Sequence, residues 1–254
     1  MTDSELSLLD RRHRSSQIAE KIGLCRDFGY ENISLDLIYG LPGSTLDDLA
    51  RNLERMLELK PEHISSYLLT LDQDSILYQL IASCEIEAQP NDEQQAEQYE
   101  LIRQTLISAG FEQYEISNFS LPGKASQHNL AYWESRPYLG LGASASGWLP
   151  PHRYTNPSSM TEYYKQISNA VTIPDAQDCS LEQQKADYLM MGLRLIRGID
   201  LLDYRQKFNS DLHQEKRDAI KHLIAIGMLE LTDTHLRLTP QALFVSNSVI
   251  GELL

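Results

Sequence analysis

Hydrophobic positions in the first half of the chain follow helical and strand spacing in turn. Residues 15–28 carry apolar side chains three or four positions apart, which predicts a helix with Ser16 as N-cap, ended by Gly29. The segment ISLDLIYG at residues 33–40 is a short apolar run between turn residues, as expected of a buried parallel strand. Further helices and strands follow in alternation at residues 46–59, 63–71, 92–109 and 111–117. This alternation predicts an α/β fold whose parallel strands are joined by right-handed helical crossovers.

The pattern changes in the second half of the chain. Residues 118–160 are rich in Gly, Pro, Ser, Tyr and Trp and show no sustained period, which predicts an irregular region with a functional or linking role. A short helix is predicted at residues 160–170, and a connector at residues 172–180. Residues 181–254 predict three helices, a two-stranded hairpin and a final helix, an order typical of a winged helix.

Winged helices often bind DNA, but the charges of this module argue against it. Its third predicted helix sets Lys216, Arg217 and Lys221 against Glu215 and Asp218, so the helix offers no basic stripe to a phosphate backbone. A structural or lid role is therefore favoured over DNA binding.

Composition narrows the classes of protein to which the chain can belong. The formal net charge of −14, from 22 basic and 36 acidic residues, repels nucleic acid phosphates, so no nucleic-acid partner is expected. No apolar run approaches the ~20 residues that span a bilayer. The polar N-terminus lacks the apolar core of a signal peptide, so the expected location is cytoplasmic. Cys25, Cys84 and Cys179 have no metal-binding spacing and are expected to be reduced structural thiols.

Three segments carry candidate chemistry. Asp36 is a carboxylate within an apolar strand whose carboxyl end is where ligands of α/β proteins bind, although an isolated Asp is more often a capping or turn residue. The segment HNLAYW at residues 128–133 places an imidazole beside an amide and two aromatic rings in a loop, where it could ligate haem iron or simply pack. The segment YLGLGASASG at residues 138–147 lets a backbone approach a ligand, but it is neither a P-loop nor GxGxxG.

Taken together and in order, the motifs of the chain are similar to those of one known family. SLDLIYGLPG, PEHISSYLLTL, YEISNF, HNLAYW, YLGLGASASG, MGLRLIRGIDL and LRLTPQALFVSN resemble the HemW-type branch of the oxygen-independent coproporphyrinogen III oxidase family. The resemblance covers nearly the whole chain. It implies a partial (β/α) radical-SAM barrel, comprising the last three strands, followed by a small winged-helix-like α+β domain. The implied boundaries are 1–120 for the half-barrel, 121–178 for the loop segment and linker, and 179–254 for the C-terminal domain.

The family's ligand contacts can be carried over by position. The implied S-adenosylmethionine contacts are Arg11, Asp36, Thr70, Leu130, Ala131 and Ser146. The HNxxYW segment is a haem-binding signature of the family, which makes His128 the candidate axial ligand of the haem iron, with Asn129, Tyr132 and Trp133 shaping the pocket.

Two features depart from the family pattern. Many relatives have Gly-Ala-His where this chain has Ser144-Ala145-Ser146. The family's CxxxCxxC motif, whose thiolates hold a [4Fe–4S] cluster, is absent from these residues. The chain alone is therefore expected to perform no radical chemistry.

Three functional hypotheses remain open from the sequence. The first is a haem-binding, chaperone-type protein that binds haem or porphyrin and passes it to an accepting protein. The second is an oxygen-independent coproporphyrinogen III oxidase of porphyrin biosynthesis, which would need the cluster motif from sequence upstream of Met1. The third is an inactive gene fragment. A half-barrel presents an unpaired strand edge, so self-association through that edge is also expected.

Overall fold

The computed structural model describes residues 2–169 and 177–254, which form two compact units. The N-terminal unit extends to Ala125, and the C-terminal unit runs from Ser126 to Leu254. The three-part division drawn from the resemblance stays a prediction. The predicted connector at residues 172–180 lies partly outside the described residues.

The N-terminal unit alternates helices and strands, as the periodicity predicts. Its helices are α1 (Asp3–Leu8), α2 (Ser15–Asp27), α3 (Leu46–Glu58), α4 (Ile76–Ala82) and α5 (Asp92–Ser108). Its strands are β1 (Ser34–Tyr39), β2 (His63–Leu68), β3 (Glu112–Glu115) and β4 (Asn118–Ser120).

The sheet of this unit departs from the predicted parallel order at its third strand. Strands β1 and β2 are parallel, but the sheet order is β1-β2-β4-β3, and β4 runs antiparallel to both of its neighbours. The run predicted as one strand at residues 111–117 is β3 followed by a turn, and the chain then reverses into β4. Because the hairpin places β4 against β2, with His63 opposite Ser120, β3 cannot pair with β2 directly. The sheet therefore has four strands instead of the three expected, and it is not closed.

Side-chain caps fix where two helices of this unit begin, and a set of buried apolar side chains forms its core. Thr45 accepts a hydrogen bond from the Asp48 N–H, and Asn91 accepts one from the Gln94 N–H, which begins α3 and α5. Ser16, predicted as an N-cap, lies instead within α2, which begins at Ser15. The fully buried core side chains of the unit are Leu37, Leu53, Ile64, Ile102, Leu106 and Phe119.

The C-terminal unit contains more regular structure than its sequence predicts. The region 118–160, predicted as irregular, includes β4 and, in this unit, α6 (Gln127–Trp133), β5 (Ser146–Leu149) and β6 (His152–Thr155). These elements were missed because each spans only three to seven residues, too few to show a period. Helix α7 (Met160–Ser168) matches its prediction, and β7 (Gln177–Asp178) pairs with β6.

The winged-helix-like module is present with two differences. Its elements are α8 (Leu181–Gly192), β8 (Ile199–Asp200), α9 (Leu201–Phe208), α10 (Leu212–Glu215), α11 (Arg217–Ala225), β9 (Leu229–Leu231), β10 (His235–Leu238) and α12 (Ser246–Gly251). The predicted third helix is divided at Lys216 into α10 and α11, and a 3₁₀ turn at Pro240–Ala242 precedes α12. The hairpin is extended by β8 into a three-stranded sheet of order β8-β10-β9.

Within residues 2–169 and 177–254, no helix has both the length and the hydrophobicity needed to cross a bilayer.

Candidate functional site

In the N-terminal unit, two of the implied S-adenosylmethionine contacts line one cavity. This cavity of about 840 Å³ is bounded by α1, α2, α3 and the outer edge of β1, and both Arg11 and Asp36 face it. Side chains alternate between the two faces of β1, so Asp36 lies on the face opposite to Leu35, Leu37 and Tyr39. The Asp36 carboxylate is exposed, whereas its neighbour Leu37 is buried. The structure thus brings together a guanidinium and a carboxylate that lie 25 positions apart in the sequence.

Thr70 is placed differently from these two residues. It is exposed, two residues beyond the end of β2, and does not line the cavity that Arg11 and Asp36 share. Its role as a contact stays a prediction.

A buried polar group beside Asp36 was missed by sequence reasoning. His63, at the start of β2, is only 5% exposed, and its Nδ1 lies 2.8 Å from Ser34 Oγ while its Nε2 lies 2.8 Å from Tyr114 Oη. Burial lowers the pKa of the imidazole, and the nearby Asp36 charge partly opposes this effect. In the sequence, His63 is marked only as a polar residue at the start of the HISSYL strand. Its burial becomes evident once the pairing of the strands is known.

The residues around the cavity fit the chemistry of S-adenosylmethionine. The ligand carries a carboxylate, which a guanidinium can bind, and an ammonium and hydroxyl groups, which a carboxylate can bind. Arg11 and Asp36 are one group of each kind, and the aliphatic side chains that line the cavity present an apolar surface.

In the C-terminal unit, the HNLAYW segment forms helix α6 and is not the loop that the sequence predicted. Ser126 caps the helix by accepting a hydrogen bond of 3.3 Å from the Asn129 N–H. His128 and Tyr132, four positions apart, lie on one face, with their rings edge to face at a centroid distance of 4.9 Å. Tyr138 extends this group, 4.4 Å from the Tyr132 ring. His128 is exposed, and its ring nitrogens make no hydrogen bond within the part of the chain that the structure describes.

The other large ring of the motif faces a different neighbour. Trp133 lies beneath the Arg194 guanidinium, which is 4.7 Å from the ring centroid. It lines a groove of about 370 Å³ together with Met190, Met191 and Ile250, whereas Tyr132 lines a separate small cavity. The predicted haem residues therefore occupy two sides of α6. Leu130 and Ala131, predicted as S-adenosylmethionine contacts, are half-buried on the same helix.

The glycine-rich loop after α6 is held by its own protein neighbours. The N–H groups of Gly140 and Gly142 donate to Tyr154 Oη at 3.0 Å and to Tyr163 Oη at 2.9 Å, respectively. Asn156 Nδ2 donates to both glycine carbonyls. A Cβ at Gly140 would lie 2.5 Å from the Ser146 carbonyl oxygen, so the close backbone approach that needs glycine here is to β5. Ser146 itself is exposed, and its Oγ lies 2.8 Å from Thr155 Oγ1.

The described residues contain no multi-ligand site for a metal ion. Within the described residues no group of three or more His, Cys, Asp or Glu side chains could hold a metal ion, and Cys25, Cys84 and Cys179 are free. Haem iron needs only one protein ligand because the porphyrin supplies four nitrogens. An exposed imidazole with unpaired nitrogens, flanked by an aromatic ring, fits that requirement at His128.

Comparison with known proteins finds both a matching family model and similar proteins. Residues 180–245 match the family model described as the HemN C-terminal domain. The chain is 32% identical to the heme chaperone HemW of Bacillus subtilis, over 99% of this chain and 66% of the relative, and 30% identical to that of Lactococcus lactis, over 98% and 65%. The solved structure of coproporphyrinogen III oxidase (HemN) from Escherichia coli, a radical SAM enzyme, superposes with a TM-score of 0.76 at 17% identity. That match covers 100% of this chain and 62% of the oxidase.

The structural match and the sequence matches support different conclusions. The structural match, at low identity, establishes the fold, whereas the HemW relatives match at about 30% identity over almost the whole chain. The chain spans slightly less than two thirds of the length of these relatives. Over almost its whole length the chain is similar to the HemW-type proteins, and its last part is similar to the HemN C-terminal domain family.

Proposed function

We propose that this chain is a haem-binding protein of the chaperone type and that His128 is the axial ligand of the haem iron. The observation that carries the proposal is the exposed His128 imidazole on α6, with no competing hydrogen bond in the described residues and with the Tyr132 ring at its side. Similar proteins named heme chaperone HemW support it.

The geometry at α6 suits temporary binding better than permanent storage. A ligand held at an exposed imidazole keeps much of its own surface accessible, so a haem-accepting protein can approach it. The Tyr132 and Tyr138 rings offer aromatic edges that can pack against a planar macrocycle. Haem is therefore the cargo of the chain, and a haem-accepting protein is its partner.

We infer that Arg11 and Asp36 bind S-adenosylmethionine in the N-terminal unit. In the family this cofactor works with a [4Fe–4S] cluster, which supplies the electron for its reductive cleavage. What these residues contribute is binding and orientation, through one guanidinium and one carboxylate in a largely apolar cavity. Thr70, Leu130, Ala131 and Ser146 are proposed as further contacts.

The proposal is tested by titrating haem into the purified chain and following the Soret band. We expect His128→Ala to shift or abolish the band of the complex. The matched control is His222→Ala, because His222 is also an exposed histidine of the C-terminal unit, on α11. A Soret spectrum unchanged in His128→Ala would remove His128 as the ligand.

Coproporphyrinogen oxidation is the second candidate function, and the fold shared with HemN favours it. Its test is anaerobic reconstitution with iron and sulfide, followed by an assay for 5′-deoxyadenosine. We expect no cleavage of S-adenosylmethionine by these residues, because the three free cysteines do not form a cluster site within the described ranges. Stoichiometric cleavage would favour the oxidase.

We also infer that two copies of the chain associate through β1. The carbonyls of Ile33 and Tyr39 accept hydrogen bonds from backbone N–H groups on the β2 side, so the backbone groups of Ser34, Asp36 and Ile38 point to the opposite edge. No strand among the described residues pairs with that edge. Light scattering should show a dimer, and Leu35→Lys should make it monomeric, whereas Leu24→Lys on α2 should not. A monomeric wild-type chain would refute this association.

A further inference from the structure

Arg136 occupies an unusual position relative to helix α6. The chain turns back after the helix, and the Arg136 N–H donates to the Ala131 carbonyl at 2.8 Å. The side chain then runs back along the helix, so that Nη2 lies 3.4 Å from the carbonyl oxygen of Gln127. Gln127 directly precedes His128. A guanidinium and the candidate haem ligand therefore both lie at the first turn of α6.

The local charge balance at this place is positive. Arg136 Nε lies 2.8 Å from Glu134 Oε2, and the other oxygen of the same carboxylate is bound by Arg197. Glu134 thus faces two guanidinium groups with one negative charge, which leaves an excess of one positive charge in this cluster. The excess stands out in a chain whose formal net charge is −14.

Two nearby cationic side chains already interact with carboxylate or aromatic groups of the protein. Arg153 forms an ion pair with Asp187 at 2.9 Å and stacks over Trp148. Lys207 lies over the Tyr188 ring. Arg136 is exposed, with its side chain 45% accessible, and its remaining donors are open to an incoming anion.

We propose that Arg136 binds a propionate carboxylate of the tetrapyrrole held at His128, and so selects tetrapyrroles with ionised side chains over uncharged ones. The planar guanidinium is suited to a carboxylate because it can donate two parallel hydrogen bonds. This inference rests on the proposed haem binding at α6 and specifies which feature of the ligand the chain recognises.

The experiment compares haem with its dimethyl ester, which has the same iron and ring but no carboxylates. Both are titrated into the full chain in the same detergent, and dissociation constants are taken from the Soret band. An exposed charge pair contributes up to about 1 kcal/mol, so wild type should prefer haem by up to about fivefold. Arg136→Gln should bring the two constants together, and Arg136→Lys should retain part of the preference. Added salt should reduce the preference of wild type.

Arg197→Gln is the matched control, because Arg197 binds the same Glu134 carboxylate from the other side. It removes the same charge from the cluster but no donor beside Gln127, so it should weaken the preference for haem less than Arg136→Gln does. Equal binding of haem and ester by wild type, or an undiminished preference in Arg136→Gln, would overturn the role of Arg136 while leaving haem binding at His128 intact. Failure of wild type to bind either compound would overturn both this inference and the proposed function.

Discussion

Glu215 connects three elements of the winged-helix-like module through one carboxylate. It lies at the end of α10 and accepts hydrogen bonds from Lys185 of α8, from Tyr204 Oη of α9 at 2.7 Å, and from Ser210. Burial alone would raise the pKa of this carboxyl, but these hydrogen bonds, with that of Lys185 the largest, lower it to about 2 from an ordinary 4.5. The charged form is therefore strongly favoured in the folded state.

The magnitude of this effect follows from the pKa difference. A carboxyl pKa lowered from 4.5 to about 2 corresponds to about 3 kcal/mol of stability at neutral pH. Because 30% of the side chain is exposed, solvent screening reduces the figure, and we expect about 1–2 kcal/mol. The folded-state pKa lies below the unfolded one, so this stability is fully present above about pH 5 and is lost as the pH falls from 4.5 towards 2.

Urea unfolding at a series of pH values, followed by circular dichroism, measures this contribution. We expect Glu215→Gln to destabilise the chain by about 1–2 kcal/mol at pH 7 and by progressively less on acidification, since glutamine keeps the shape but not the charge. The control is Glu230→Gln, which removes a surface pair with Arg237 and should cost less than about 1 kcal/mol. If the stabilities of wild type and Glu215→Gln changed in parallel between pH 7 and 3, the assignment of the charge effect to Glu215 would be refuted.

Three further outcomes are expected from single residues. Gly198→Ala should cost more than about 2 kcal/mol in thermal unfolding, because its φ is +75° and a Cβ would lie 2.2 Å from the Leu236 carbonyl oxygen. Gly142→Ala, at φ +103° in open space, should cost only about 1 kcal/mol. Since burial lowers the pKa of His63, wild type should lose stability as the pH falls below about 6.5, and His63→Gln should show a flatter pH profile in the same assay. Leu37→Ala should cost about 2–5 kcal/mol, measured by urea unfolding, because the side chain is fully buried in β1.

The accuracy of sequence-based prediction followed the length of the elements. Helices α3 and α5 span 13 and 17 residues and carry side-chain caps at Thr45 and Asn91, so both their existence and their starts could be predicted. Strand β4 and helix α6 span three and seven residues, and their composition is that of a loop. Such short elements are decided by tertiary pairing, as when β4 takes the place beside β2.

For the polar residues of the N-terminal unit and of α6, too, the sequence is informative where a local motif exists and uninformative where contacts are distant along the chain. Arg11, Asp36 and His128 could be proposed as site residues from motifs because each stands within a recognisable run of residues. His63 could not, because its two hydrogen-bond partners lie 29 and 51 positions away and meet it only through the sheet.

The position of Arg136 shows why a binding motif can be incomplete as a description of a binding site. The HNxxYW pattern ends at Trp133, yet the side chain of Arg136, three residues later, reaches back to the carbonyl of Gln127 in the first turn of α6. The motif fixes an imidazole and its aromatic neighbours, which any iron porphyrin can meet, and it contains no cation for the acidic edge of haem. In the site that we propose, a residue outside the motif therefore supplies the charge recognition. Its identity depends on how the chain leaves the helix, which is a property of the fold and not of the motif.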